Sequence, residues 1–182
     1  MQKNNIYVQD NFFDDNFIEK LQKEIVQLSF TSRYADFKKT LKEDNPSVND
    51  YQRNIHHVQL KENAPVALEV REKIKKYFNY EVNNMESNYF LTFPNTPPVP
   101  HNDDFSTFNC LIYILGDKLM NNGTGFYEKI EDSFQLHSHV GFKENRAIFF
   151  DSRIIHSPLQ FAGNATPRYI MTNFIDRHTY HD

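Results

Sequence analysis

Apolar residues recur along this chain with two different periods. Near the N-terminus Ile6-Tyr7-Val8 is a short β-like run. Asp14 or Asp15 then caps a predicted helix whose apolar face is Phe17, Leu21, Ile25 and Leu28, the three-to-four spacing of a helix that buries one side. Residues 31–54 are polar and aperiodic and read as a long loop, while residues 55–60 predict a strand. Asn63 and Pro65 open a second helix, with Val66, Val70, Ile74, Tyr77 and Phe78 at helical spacing. From residue 84 onward the texture changes to short alternating runs, over 85–93, 107–115, 125–130, 133–140, 146–151 and 168–176. Turn residues separate these runs at 94–100, 116–125, 141–145 and 158–167. No repeat, low-complexity tract or linker divides the chain. It therefore reads as a single domain over 1–182, with a helical support and lid loop over 1–83 and a strand-built core over 84–176. Two helices followed by many short strands predict an α+β, mainly β architecture. The expected form is a double-stranded β-helix, or jelly roll, with the N-terminal helices packed on one face.

Composition narrows the function classes. The 182 residues suit one domain with a substantial core. The 17 Phe and 10 Tyr lean that core toward sheet. A formal net charge of −4, with acids and bases intermixed, argues against a partner that is nucleic acid. No apolar run approaches the ~20 residues of a bilayer span, and residues 1–10 lack the apolar stretch of a signal peptide. No membrane association and a reducing, cytoplasmic location are expected. Cys110 is the only cysteine, which excludes an intramolecular disulfide and a thiolate zinc site.

The chemistry is concentrated in four residues. His101-Asn102-Asp103 follows a Pro-rich loop and precedes a predicted strand. In extended backbone residues i and i+2 point the same way, so an imidazole and a carboxylate converge. A second imidazole would complete a two-histidine, one-carboxylate facial triad with three open metal positions. His156 supplies it, 53 residues after Asp103 and just beyond the apolar run 146–151. Taken alone, a His-x-Asp is a weak signal, and a lone strand histidine is more often a core or surface residue. Arg168 adds weight. It lies 12 residues beyond His156 at the start of an apolar strand in which Arg168, Ile170, Thr172 and Phe174 share one face. An inward guanidinium needs an anionic partner, and a dicarboxylate ligand is one that pairs with it as a bidentate fork.

In this order the segments resemble the iron(II)/2-oxoglutarate-dependent dioxygenases, most closely their prolyl-hydroxylase-like branch. His101-Asn102-Asp103 resembles the first metal motif of that family. Asn109-Cys110-Leu111-Ile112-Tyr113 resembles the strand after it, Thr124-Gly125-Phe126-Tyr127-Glu128 the following hairpin, and 145–151 with His156 the strand and turn of the distal histidine. The run Arg168 to Thr172 resembles the closing strand. The match covers roughly residues 84–176. The resemblance implies iron(II) on His101, Asp103 and His156, with 2-oxoglutarate contacted by Arg168, Thr172, Tyr113, Asn109 and Tyr89. It implies consumption of dioxygen, release of succinate and CO2, and hydroxylation of a small molecule or peptide side chain. Halogenating relatives lack the metal carboxylate, and Asp103 is present.

Two other readings stand beside this one. His137-Ser138-His139 with Glu144 resembles a cupin metal motif, although Glu144 falls in a turn-like stretch and position 151 holds Asp where a cupin has glycine. A non-catalytic jelly-roll binding module is the other. The adjacent His56 and His57 cannot share a strand face, and His178 and His181 lie in the C-terminal tail. Lid functions are expected for loop 116–124 and for 31–54. The latter mixes cationic and aromatic groups, Arg33, Tyr34, Phe37 and Arg53, which suit a polar or anionic small molecule or a peptide backbone.

Overall fold

The computed structural model describes residues 5–32, 55–93, 98–119, 121–159 and 166–177. Arg33, Tyr34, Phe37 and Arg53, which the sequence assigns to an expected lid, and the tail residues His178 and His181 lie outside the described residues. Strand β1 (Ile6–Gln9) and helix α1 (Asp15–Ile25) lead into β2 (Thr31–Ser32), β3 (Ile55–Gln59) and helix α2 (Pro65–Phe78). The strands β4 (Met85–Thr92), β5 (Phe108–Leu115), β6 (Gly123–Ile130), β7 (Ser133–Gly141), β8 (Arg146–Asp151), β9 (His156–Leu159) and β10 (Arg168–Ile175) follow. Seven strands pair in the order β1-β8-β5-β10-β4-β3-β2, and three in the order β7-β6-β9. Every pairing is antiparallel. This is the expected jelly roll, with α1 and α2 on the outer face of the larger sheet. No helix among the described residues is long and apolar enough to cross a membrane.

The central strands of the larger sheet are apolar on both faces because both faces are covered. Cys110, Ile112 and Ile114 of β5, Ala147 and Phe149 of β8, and Met171 and Ile175 of β10 pack toward the helices. The alternate residues Leu111, Tyr113, Ile148, Phe150 and Ile170 pack toward Phe126 and Phe142, on the side of the smaller sheet. A strand period of two thus serves two cores at once. The helices fit this layer through short apolar stripes. In α1 the Asp14 carboxylate accepts from the Phe17 backbone amide at 2.9 Å, and Ile18, Leu21 and Ile25 are buried. The helix ends at Ile25 in tight turns. Leu28 is therefore 39% exposed, and Ile18 rather than Leu28 completes the buried face. In α2 Pro65 takes the first turn, where its missing N–H costs nothing, and Ala64 rather than Asn63 stands at the N-cap. Asn79, left-handed at φ 51°, stops the helix. Its Phe78 stacks on Phe149 of the sheet, with ring centroids 4.8 Å apart. Each such buried apolar side chain contributes about 1.5–3 kcal/mol.

Two elements differ from the sequence reading. Thr31 and Ser32 form a short edge strand against His57 and His56 where a loop was expected. His156–Leu159 is strand β9, paired with β6, although Ser157-Pro158 reads as a stop. Proline is tolerated there because β9 is the edge of its sheet and loses no ladder bond on its free side.

Candidate metal centre

His101 and His156 are joined by a single antiparallel bridge. Each backbone N–H donates to the other residue's carbonyl, at 3.0 and 2.8 Å. The bridge sets the two rings 4.7 Å apart. Both imidazoles are then oriented by the same local device. Nδ1 of His101 lies 2.7 Å from the Val99 carbonyl, and Nδ1 of His156 lies 2.9 Å from the Ile154 carbonyl. A carbonyl oxygen only accepts, so each Nδ1 carries a proton, and Nε2 is the ring atom turned toward the carboxylate. Both Nε2 atoms approach Asp103. The His156 Nε2 is 3.3 Å from Asp103 Oδ2, and the His101 Nε2 is 4.0 Å from Oδ1. An imidazole nitrogen and a carboxylate oxygen at such a distance share a cation, either a proton or a metal ion.

Asp103 is held as firmly as the rings. Its backbone N–H donates to the Ser152 carbonyl at 2.9 Å, and its Oδ2 accepts from Asn109 Nδ2 at 2.7 Å. Burial disfavours its ionised form. The proximity of His156, then of His101, and the Asn109 amide outweigh that and hold the carboxyl below its ordinary pKa. One ligand atom from each of His101, Asp103 and His156 lies within 4.8 Å of the others, and among the described residues no other group of three His, Cys, Asp or Glu converges in this way. Two imidazole nitrogens and one carboxylate oxygen form a donor set that suits a first-row divalent metal with open positions.

The residues expected to contact a co-substrate are placed unequally. Arg168 is 3% exposed at the start of β10, and its Nη1 donates to the carbonyls of Gly123, at 2.6 Å, and Leu159, at 3.2 Å. Tyr113 is wholly buried between the sheets with its ring stacked on Phe142. Its hydroxyl is 2.8 Å from Thr124 Oγ1 and donates to the Val140 carbonyl at 3.2 Å. Burial pushes that hydroxyl up to about 12, against the opposing charge of Arg168. Thr172 is buried two residues beyond Ile170 on the same side of β10. These three therefore share the layer between the sheets.

Tyr89 does not share it. It pairs with Met171 and packs in the helix-side core, and burial followed by the charge of Glu24 on α1 raises its hydroxyl pKa. Its ring is therefore on the opposite face of the sheet from Arg168, because paired residues of neighbouring strands point the same way. Asn109 faces the inter-sheet layer but spends its amide on Asp103. Sequence reasoning missed that bond, and also the Ser106 and Ser152 hydroxyls behind it, since a spacing of six along a turn carries no periodic signal. The cupin-like residues are not gathered. His137 and His139 are exposed on β7, with His137 3.4 Å from Glu128, and Glu144 pairs with Lys118 at 3.0 Å.

No family model matches the chain, and no curated protein does. Solved structures do match. A prolyl-4-hydroxylase from Pseudomonas putida aligns over 95% of this chain and 92% of its own, at 14% identity and a TM-score of 0.54. A prolyl hydroxylase from Trichoplax adhaerens, in complex with a hypoxia-inducible-factor peptide fragment, aligns over 96% and 84% at 12% identity and a TM-score of 0.61. HygX from Streptomyces hygroscopicus, with nickel, 2-oxoglutarate and hygromycin B bound, aligns over 96% and 83% at 10% identity and a TM-score of 0.65. The chain thus has the jelly-roll fold of the prolyl hydroxylases and other iron- and 2-oxoglutarate-dependent oxygenases, and carries a His-Asp-His cluster within it.

Proposed function

We propose that this protein is an iron(II)- and 2-oxoglutarate-dependent dioxygenase that hydroxylates a polar small molecule or a peptide side chain. The observation that carries the reading is the pair of imidazoles whose Nδ1 atoms bond backbone carbonyls, so that both Nε2 atoms and the Asp103 carboxylate converge within 4.8 Å of one another. Iron(II) and 2-oxoglutarate bound there would supply the oxidative chemistry, in which dioxygen is consumed, 2-oxoglutarate is split to succinate and CO2, and a substrate C–H bond is hydroxylated.

The chain's own part is geometry and exclusion of water. His101, Asp103 and His156 would hold the metal and leave positions open for co-substrate and dioxygen. Arg168 would pair with the distal carboxylate of 2-oxoglutarate, and the Thr172 and Tyr113 hydroxyls would assist it. Leu111, Phe126, Ile148 and Phe150 form the apolar wall, and Phe150 sets its ring at 70° to that of His156, 4.9 Å away. A dry wall strengthens each polar contact inside it. The neighbours, one holding a peptide fragment and another hygromycin B, support both substrate classes. The buried lone Cys110 and a ferrous centre suit a reducing compartment, so cytoplasmic action is part of this proposal.

The test is anaerobic loading with iron(II) and 2-oxoglutarate, followed by admission of oxygen. Succinate should form stoichiometrically with CO2, and slowly even without substrate. A protein that binds iron yet makes no succinate, with or without a panel of peptides and polar small molecules, would favour the non-catalytic binding module.

A further inference from the structure

We propose that Asn109 is a positioning residue for the metal carboxylate, setting Asp103 to ligate through one oxygen. This inference rests on the reading of His101, Asp103 and His156 as a metal site. Asn109 is fully buried on β5, in the same inter-sheet layer as Leu111 and Tyr113. Its Nδ2 donates to Asp103 Oδ2 at 2.7 Å, and its Oδ1 lies 3.3 Å from Ser106 Oγ, whose single proton is shared with the Asp103 carbonyl at 3.2 Å. A carboxylate only accepts, so the amide has one admissible orientation, and the Ser106 hydroxyl on its other end reinforces it.

The contact belongs to a closed ring. Ser106 N–H donates to the Asp103 carbonyl at 3.0 Å, the Ser152 hydroxyl donates to the Ser106 carbonyl, and Asp103 N–H donates to the Ser152 carbonyl at 2.9 Å. All four residues are buried. The ring ties the turn carrying Asp103 to β5 and to the turn that leads on to His156. A buried network with every member satisfied fixes one arrangement.

The consequence is chemical. With one lone-pair direction of Oδ2 taken by the amide, the carboxylate is biased against chelating with both oxygens. A second oxygen on the metal would fill a position that the co-substrate needs. Groups that orient metal ligands in this manner typically change metal affinity by about 10–100-fold when removed.

Cobalt(II) serves as the probe, because its visible absorption reports coordination number without turnover. Asn109→Leu removes the amide at similar volume. It is expected to weaken cobalt(II) about 10-fold or more, to alter the absorption band, and to weaken 2-oxoglutarate on the cobalt(II) protein. A purely structural role would lower the thermal midpoint but leave the band unmoved. Ser106→Ala, a smaller change, should shift the band in the same direction and decides the matter should the leucine variant not fold. Wild-type protein that fails to bind cobalt(II) would overturn the metal-site reading itself. Wild-type binding, with both affinity and band unchanged in the variants, would overturn the role of Asn109 alone.

Discussion

His101 and His156 exchange both of their backbone hydrogen bonds, 3.0 Å in one direction and 2.8 Å in the other. This pair occupies one rung of an antiparallel ladder that is otherwise absent there. The bridge makes the ring positions a property of the backbone. Each ring is then locked by a carbonyl two residues upstream. A site built in this way is preorganised before any ligand arrives.

Removing a ligand should therefore remove the metal without unfolding the protein. Asp103→Ala and His156→Ala are expected to carry no iron after reconstitution, while His137→Ala retains a full complement. Metal content per chain, measured by elemental analysis, decides it. Iron lost from His137→Ala but kept by Asp103→Ala would move the site to the cupin-like histidines.

Arg168→Ala should separate co-substrate from metal. Breaking one partner of a desolvated charge pair costs about 3–5 kcal/mol, or roughly a hundredfold or more in the apparent 2-oxoglutarate constant, with iron affinity unchanged. Titration of the iron-loaded variant with 2-oxoglutarate would read this directly. An unaltered constant would mean that the guanidinium serves protein groups such as the Gly123 and Leu159 carbonyls and not the co-substrate.

Gly123 and Gly125 should respond differently to alanine. Gly123 has φ +145°, and a Cβ there would lie 2.0 Å from the Val140 carbonyl oxygen. At Gly125 the Cβ would meet the flexible ends of Leu136 and Leu159 at 2.8 and 2.9 Å. Gly125→Ala is expected to cost about 1 kcal/mol and Gly123→Ala about 3 kcal/mol or more, as backbone strain adds to overpacking. Gly123→Ala should also weaken 2-oxoglutarate binding, because the Gly123 carbonyl positions Arg168. Urea unfolding of the two variants orders the costs.

Asp10 gives a pH-dependent contribution to stability. Its hydrogen bond to Arg146, helped by Lys143 and opposed by burial, lowers its carboxyl to about 2. A folded-state pKa below the unfolded value stabilises above the ordinary carboxylate range and is lost as pH falls through the folded value. Asp10→Asn should thus cost about 1 kcal/mol at pH 7, after allowance for partial solvent exposure. The difference from wild type should close between about pH 4 and pH 2. Chemical denaturation of both proteins at several pH values in that interval tests the sign.

Much of this protein is local and so was readable along the chain. The strand 146–151 and most other core strands follow from alternation and turn residues, and both helices from three-to-four spacing. The His101, Asp103 and His156 cluster follows from residue chemistry, because a His-x-Asp in extended backbone and a later histidine are the minimal donor set. What the chain could not say is which face of a strand meets which layer. Tyr89 and Thr172 both lie on central, buried strands, yet pairing with Met171 turns Tyr89 toward the helices while Thr172 faces the smaller sheet. Pro158 reads as a stop, and only its place on a sheet edge permits the strand that carries His156. Asn109 reads as a co-substrate contact, and only the fold of the turn 103–106 brings Asp103 within 2.7 Å of its amide. Periodicity and donor type are set by neighbours one to four residues apart. The facing of a strand and the convergence of remote groups are set by long-range pairing, which no local pattern specifies.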